Sequence, residues 1–518
     1  MLEDWDEHLR VVRKRKAEAH AQGGPEALGR LHSRGKLSAR ERLELLLEPG
    51  SFREIGSLVQ GTVETPGRAP VTVQADGVVT GWGEVAGRRV FVAADDGSVM
   101  GGAAGLLNVE KRFRVRRMAL AQGVPFIGLY EGSAIRFQDS MDAAVMSRVP
   151  AFKEVVDCAG AIPQVAAVLG PCFGRPPMDV LLSDFAVMVR GTGLLGWSGP
   201  TLVRGGIGET VDLETLAGAK MQAEITGLVD RVEESEAECL ALIRQFLSFM
   251  PTSCWELPPH APDRDDPKRP CPELFEIVPT NLRQPYDMHR VVAAIVDRGE
   301  YLTYKPTFGR AIITCLARLG GRSVGIVASQ PAHEGGVIDC DAAYKTRRFI
   351  AVCDAFHVPL IFLQDQPGFM IGQAAEAHRA IYWCGSLLAT VERTTVPKLT
   401  IILRKSHGAA TWAMGGRSGE RPDLLAAWPL ALLTGTGPAS AVLTIHDKEL
   451  RASDRPADLR RTLEAQYRER GSILRAAAVF GVDDVIEPQD TRTYLAAALD
   501  MACSRRVRAL GRKPSLFP

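Results

Sequence analysis

No apolar run in the chain approaches the length of about eighteen residues that a membrane-crossing helix needs, so no span is expected. The opening residues, MLEDWDEHLRVVRKRKAEA, are crowded with charge and hold no apolar segment of the signal-peptide kind. Neither sign of charge is in surplus: 62 Lys and Arg stand against 61 Asp and Glu, a formal net charge of +1. Without a basic excess, nucleic acid is not expected as the main partner. The ten cysteines include no CxxC pair, which leaves neither a zinc ribbon nor a thioredoxin-like motif. In so long a chain they read as reduced, mostly buried thiols of a cytoplasmic protein. The glycine-rich stretch Gly101–Gly105 lacks both the Lys-Ser/Thr ending of a P-loop and the GxGxxG spacing. No dyad of nucleophile and base stands out.

What the chain does contain, it contains twice. The stretch VPKLTIILRKSHGAATWAMGG, from Val396 to Gly416, opens as a buried strand with the apolar and β-branched run Leu399–Leu403. It turns through Ser406, His407, Gly408, Ala409 and Ala410, small residues that let backbone approach a ligand. Ala410–Met414 can start a helix, and free backbone N–H groups at a positive helix end suit an oxyanion. An ordinary strand-to-helix connection has the same outline. The stretch IPQVAAVLGPCFGRPPM, from Ile162 to Met178, repeats the form at a fixed shift in numbering (396 − 162 = 234). The same shift relates Gly87–Ala94 to Gly321–Ala328 (321 − 87 = 234) and Gly123–Ile127 to His357–Ile361 (357 − 123 = 234). Insertions break the register later, but Gly227–Glu233 still resembles Gly481–Glu487. The chain is therefore read as a tandem duplication of one α/β domain with a mostly parallel sheet, two whole domains and not a solenoid.

The expected boundaries are residues 1–260, with a helical segment over 1–50, and residues 270–518. Pro251–Asp266, rich in Pro and Asp, reads as the linker. Ser38, with Glu41 three residues on, predicts a capping box. Arg34, Lys36, Arg40 and Arg42 form a basic run that is either a solvated helix face or a site for phosphates. Glu110–Gln122 is read as an amphipathic helix. Pro367-Gly368-Phe369 is a turn after a central strand, either a simple reversal or the lining of a site.

At this point the residues carry a family. Arg34-Gly-Lys-Leu-Ser-Ala-Arg-Glu-Arg, Asp76-Gly-Val-Val-Thr-Gly, Gly101-Gly102, Ile162-Pro-Gln-Val and Asn281-Leu-Arg-Gln-Pro-Tyr-Asp occur in order. Cys353-Asp-Ala-Phe-His-Val-Pro, Gln366-Pro-Gly-Phe-Met, Ala427-Trp-Pro and Pro488-Gln-Asp-Thr-Arg follow. Over nearly its full length the chain resembles the carboxyltransferase (beta) subunits of biotin-dependent acyl-CoA carboxylases, such as those acting on propionyl-CoA or methylcrotonyl-CoA. The resemblance implies two crotonase-like domains. It implies transfer of a carboxyl group from carboxybiotin to an acyl-CoA through a thioester enolate, each oxyanion being held by backbone N–H groups. It also implies substrate sites between the first domain of one subunit and the second domain of another, a hexamer, and a partner biotin carboxylase/biotin carrier (alpha) subunit. The chain has no Met-Lys-Met biotinylation motif, so biotin is expected on that partner, and no metal is expected here. By position in the family's motifs, Gly174, Arg175, Gly408 and Ala409 are the expected oxyanion-holding residues. Gly101, Gly102, Ser133, Ala134, Arg136, Pro367, Gly368, Phe369, His407 and Asp423 are the expected substrate lining. Arg34, Lys36 and Arg40 are the expected sites for the phosphates of coenzyme A, and His407 is given a packing or positioning role.

The chain departs from the family at two turns. Where the family reads Pro-Cys-Ala-Gly-Gly-Ala, this chain has Pro171-Cys172-Phe173-Gly174-Arg175-Pro176-Pro177. Where it reads Asp-Ser-Gly-Gly-Ala-Arg, this chain has Glu131-Gly132-Ser133-Ala134-Ile135-Arg136. Proline removes an N–H but is tolerated in a first helical turn. Arg175 either binds a carboxylate or phosphate of an unusual acyl-CoA or fills a site that has lost activity. The alternatives to an active carboxyltransferase are a biotin-independent malonyl-type acyl-CoA decarboxylase and a non-catalytic assembly paralogue.

Overall fold

The computed structural model describes residues 5–132, 134–150, 152–262, 265–416, 422–504 and 510–513. The chain divides into two compact units, Met1–Glu256 with Gly511–Pro518, and Leu257–Leu510. The second boundary differs from the expected one because Arg512 donates to the carbonyls of Val156 and Ala159 in the first unit. The expected linker is not a loose tether either. The N–H of Cys254 is bonded to Ala161 O at 2.9 Å, and His260 forms a β-bridge with Arg322.

Three helices open the first unit: Trp5–His20, Pro25–His32 and Ala39–Leu46. The third is held at its start by the Ser38/Glu41 capping box, in which each side chain takes the other residue's backbone N–H. The unit's main sheet has seven strands, in the order Arg53–Ile55, Val78–Val85, Arg88–Asp95, Phe126–Tyr130, Gln164–Val168, Phe185–Val189 and Arg231–Glu233. The first two pairings are antiparallel and the rest parallel. Strands such as Phe126–Tyr130 and Phe185–Val189 are buried throughout, as parallel strands covered on both faces must be. The helix Leu106–Gln122 stops at Gly123, which takes a left-handed φ of 63° as a C-cap. That helix is less simply amphipathic than its sequence: Lys111, Arg112 and Arg116 lie on its buried face.

The second unit repeats the plan. Its eight-stranded sheet runs Tyr301–Tyr304, Ile312–Leu319, Arg322–Ser329, Leu360–Gln366, Lys398–His407, Leu424–Ala427 and Asp484–Val485, with Leu432–Thr434 paired to the far end of Lys398–His407. In the first unit that last pairing is a separate two-stranded piece, Pro171–Phe173 with Leu194–Gly196. Backbone conformation preserves the duplication: Met100, Gly101 and Gly102 have φ of 50°, 62° and 75°, and Glu334, Gly335 and Gly336 have 49°, 65° and 82°. No helix among the described residues is long and apolar enough to cross a membrane.

Candidate active site

In each unit three segments meet at the carboxyl ends of the parallel strands. In the first unit the N–H of Ala104, just past Gly101-Gly102, bonds Ala134 O at 3.3 Å, and the N–H of Arg136 bonds Ala104 O at 2.9 Å. A Cβ at Gly102 would collide with the backbone of Glu131, and one at Gly174 would lie 2.6 Å from the Ala134 methyl. Glycine is therefore required at both closures, so Gly102, Ala134 and Gly174 are brought together. In the second unit Ile338 N bonds Gly368 O at 3.1 Å and Met370 N bonds Ile338 O at 2.8 Å. A Cβ at Gly336 would lie 2.7 Å from Asp365 O. The two bridges, Ala104 with Ile135 and Ile338 with Phe369, are related by the duplication shift at both of their members (338 − 104 = 234 and 369 − 135 = 234).

The two expected oxyanion turns share one geometry. Gly174 has φ 75° and donates to Trp197 O at 3.0 Å; Gly408 has φ 64° and donates to Thr434 O at 2.9 Å. The glycine N–H is thus consumed in both turns, and the donors free to meet a ligand are the next ones along. In the second unit these are the N–H groups of Ala409 and Ala410, which have no acceptor among the described residues. The helix that follows is one turn, Ala410–Ala413, so individual N–H groups carry the positive end and no long macrodipole adds to them. In the first unit only Arg175 has an N–H to offer, since Pro176 and Pro177 have none and open the helix Pro176–Leu181.

The Arg175 side chain is engaged inside the first unit. It folds back so that Nη1 lies 3.5 Å from Asp179 Oδ2, with the guanidinium 4.8 Å from the Phe113 ring centre and 5.2 Å from that of Phe152. Arg116 Nη2 and Tyr130 OH reach the same Asp179 oxygen at 3.2 Å each. Burial alone would raise the Asp179 carboxyl, but the charges of Arg116, Arg175 and Arg112 outweigh it and hold the group below its ordinary value. Cys172, one strand residue before Phe173, is buried, and burial pushes its thiol well up, so it is no nucleophile.

Several expected ligand groups are engaged elsewhere. Lys36 is buried against Glu131, which also holds Arg42, and Arg42 makes a two-pronged contact with Glu236 at 2.6 and 2.7 Å. Arg40 grips Glu54 at 3.0 and 3.3 Å. Of the three expected phosphate-binding residues, Arg34 alone is exposed with no side-chain partner among the described residues. The basic run is readable in one dimension; the carboxylates that neutralise it arrive from 14 to 194 residues away. Arg136 is 3% exposed and pairs with Asp76 at 2.6 Å and Asp139 at 3.0 Å, so both sides of its guanidinium are held by interior carboxylates. Asp423 accepts the N–H of Lys398, the first residue of the strand that ends at His407. It therefore lies at the opposite end of the sheet from the turn, because the strands are parallel. His407 is buried, its Nδ1 lies 2.8 Å from Thr434 Oγ1, and burial lowers its ring below the ordinary histidine value. Ser133 lies outside the described residues.

Two lysines that no sequence motif marks turn out to be equivalent. Lys111 reaches the carbonyls of Ala75 and Val78, and Lys345 those of Lys305, Phe308 and Gly309 at 3.1, 2.8 and 3.2 Å. Their spacing, 345 − 111 = 234, is a signal available in the sequence. Among the described residues no group of three or more His, Cys, Asp or Glu is arranged to hold a metal ion.

Against known proteins, residues 30–515 match the family model described as the carboxyl transferase domain. The chain is 36% identical over 514 residues to the propionyl-CoA carboxylase carboxyltransferase subunit of Haloferax mediterranei, spanning 99% of both chains. It is 35% identical over 513 residues to the methylmalonyl-CoA decarboxylase subunit alpha of Veillonella parvula, again spanning 99% of both. A solved structure of transcarboxylase 12S, described as a hexamer with methylmalonyl-coenzyme A and methylmalonic acid bound, superposes with a TM-score of 0.92 at 34% identity. It covers 100% of this chain and 99% of that one. The two units have the crotonase-like fold of these structures.

Proposed function

Because the chain belongs to the carboxyl transferase family, we propose that its two homologous turns divide one transfer reaction between them. The protein is a carboxyltransferase of the biotin-dependent acyl-CoA carboxylase kind, which moves a carboxyl group between biotin and an acyl-CoA. Loss of a proton from the acyl α-carbon puts charge on the thioester oxygen, and donors fixed in advance at that position lower the barrier. The Arg175 N–H is the donor offered to that oxygen in the first unit. Its guanidinium, held by Asp179 and the two phenylalanine faces, fixes the residue that carries the N–H. The paired N–H groups of Ala409 and Ala410 fit the ureido oxygen of biotin: two neutral donors without acceptors suit one neutral carbonyl that gains negative character. Biotin, when bound, supplies the nitrogen that carries the carboxyl group. His407 is not placed as a base, since its ring is buried and hydrogen-bonded to Thr434. Glu131, beside the first-unit site, is neutralised by Lys36 and Arg42, so it adds no net negative charge where an enolate forms.

The observation that carries this reading is the repeated turn: a left-handed glycine whose own N–H is consumed, followed by unspent donors, at positions related by the duplication shift (408 − 174 = 234). Biotin reaches the site on a partner subunit, and we assign that role to a biotin carboxylase/biotin carrier (alpha) subunit. The working state is a homo-oligomer, proposed as a hexamer by likeness to transcarboxylase 12S. The methylmalonyl-CoA decarboxylase relative favours a second reading, in which the same donors run the transfer from acyl-CoA to biotin.

The test is to incubate the purified protein with a panel of acyl-CoAs, a carrier partner, ATP and labelled bicarbonate. Partner-dependent label in one acyl-CoA is the expected result. Loss of CO2 from methylmalonyl- or malonyl-CoA without fixation would instead establish the reverse direction, and inactivity in both directions would leave the assembly role.

A further inference from the structure

The second unit holds a cavity of about 370 Å³ lined by Asp287, His289, Arg310, Gln330, His333 and Lys345, among others. That volume falls in the lower part of the range of about 300–1,000 Å³ typical of small-molecule sites. The first unit closes the equivalent place with an ion pair: Arg136 binds Asp76 at 2.6 Å, and the N–H of Asn108 caps the same carboxylate at 2.7 Å. Under the duplication shift these three residues become Met370, Arg310 and Ala342 (136, 76 and 108, each plus 234), so the carboxylate and both of its partners are gone and a guanidinium stands in the carboxylate's place. Only the buried lysine is kept, as Lys111 and Lys345.

The wall carries both donors and acceptors. Arg310 has one partner among the described residues, the Nε2 of His333 at 3.0 Å. A guanidinium can only donate, so His333 accepts at Nε2 and in its neutral form carries its proton on Nδ1. Arg310 is exposed and keeps its other N–H groups for solvent or a ligand. On the acidic side, Asp287 Oδ1 is taken by Gln330 Nε2 at 2.6 Å and by the N–H of His289 at 3.0 Å. The Arg310 guanidinium thus stands across from one partly satisfied carboxylate, while the Lys345 amine is spent on backbone carbonyls. Burial, with Arg310 beside it, lowers the His333 ring, and burial with Lys305 nearby pushes the Lys345 amine down to about 7. Burial is the larger cause of both shifts, and the neighbouring cation adds to each.

We propose that this cavity is a ligand site separate from the two oxyanion turns, and that it takes a small metabolite carrying a phosphoryl or carboxylate group bound by Arg310 and His333. Titration calorimetry of the full-length protein at fixed ionic strength, with inorganic phosphate, pyrophosphate and citrate as probes, tests it. Saturable binding of at least one probe is expected, weakened tenfold or more by Arg310→Gln and by His333→Gln. The probe that binds most tightly separates phosphoryl from carboxylate chemistry. Binding is read directly, so the result is independent of whether the turns act as assigned, and Ala410→Pro is expected to leave it unchanged. Absence of saturable binding by all three probes, or equal affinity in Arg310→Gln, overturns the proposal.

Discussion

Lys345 sits in an environment far from that of a free amino acid. Burial pushes its amine from the ordinary 10.5 down to about 7, while three backbone carbonyls receive its hydrogen bonds. Below about pH 7 both folded and unfolded chains hold the proton and the full cost of burying the charge is present. Between 7 and 10.5 the unfolded lysine holds a proton that the folded one has lost, so stability rises with pH across that window. The slope contributed is at most about 1.4 kcal/mol per pH unit. Urea unfolding at pH 7.5 and 9 is expected to show this gain in the wild type and a smaller one in Lys345→Met; equal slopes would refute the shift. The lysine's recurrence under the duplication shift was legible, but its burial was not, because the carbonyls it serves lie in a loop some forty residues upstream. Arg175 teaches the same lesson. Its presence at the turn was visible, whereas its destination depends on Phe113, Phe152 and Asp179, which only folding brings to it.

At the scale of strands and turns the sequence was more informative, because hydrophobic run, small-residue turn and helix start are local properties. Where it misled, strand direction was the reason. Asp423 stands near Ala427-Trp428 in sequence but beside the start of a ten-residue strand, roughly 30 Å from its far end at about 3.3 Å per residue. Its carboxylate takes the N–H of Lys398 at 2.9 Å, as Asp184 takes that of Gln164 at 2.8 Å. Asp230 and Asp483 do the same for Ala186 and Leu425, at 2.7 and 2.8 Å. In both units an aspartate thus accepts an N–H at the start of a neighbouring parallel strand, from its first residue at Lys398 and Gln164 and from its second at Ala186 and Leu425. Asp423→Ala is expected to cost about 1–3 kcal/mol in denaturant unfolding, the penalty of an orphaned buried donor. The ratio of acyl-CoA substrates used is expected to stay as in the wild type. A changed ratio at unchanged stability would return Asp423 to the substrate pocket.

The duplication is the property of the whole molecule that the sequence carried best. One constant shift in numbering survives in apolar pattern, in left-handed glycines and in both β-bridges, because all of these answer to backbone geometry. The side chains around the repeated frame have diverged freely, so the chemistry of each copy had to be read from the structure. That divergence separates the copies experimentally. The first unit already has proline at 176, the place equivalent to Ala410, so Ala410→Pro removes a donor in a manner the fold is known to accommodate. Arg175→Pro removes the first unit's remaining donor at a φ of −71°, which proline adopts without strain. Each is expected to slow overall transfer by about 100- to 1,000-fold, as loss of an oxyanion donor does elsewhere. Their partial reactions should differ. Arg175→Pro should abolish exchange of the acyl-CoA α-proton with deuterated solvent and spare release of CO2 from the carboxylated carrier, while Ala410→Pro should do the reverse. Arg175→Ala, which keeps the N–H, should retain more exchange than Arg175→Pro. If both proline variants lost both partial reactions equally, the turns would not divide the reaction, and the assignment of one oxyanion to each copy would fall.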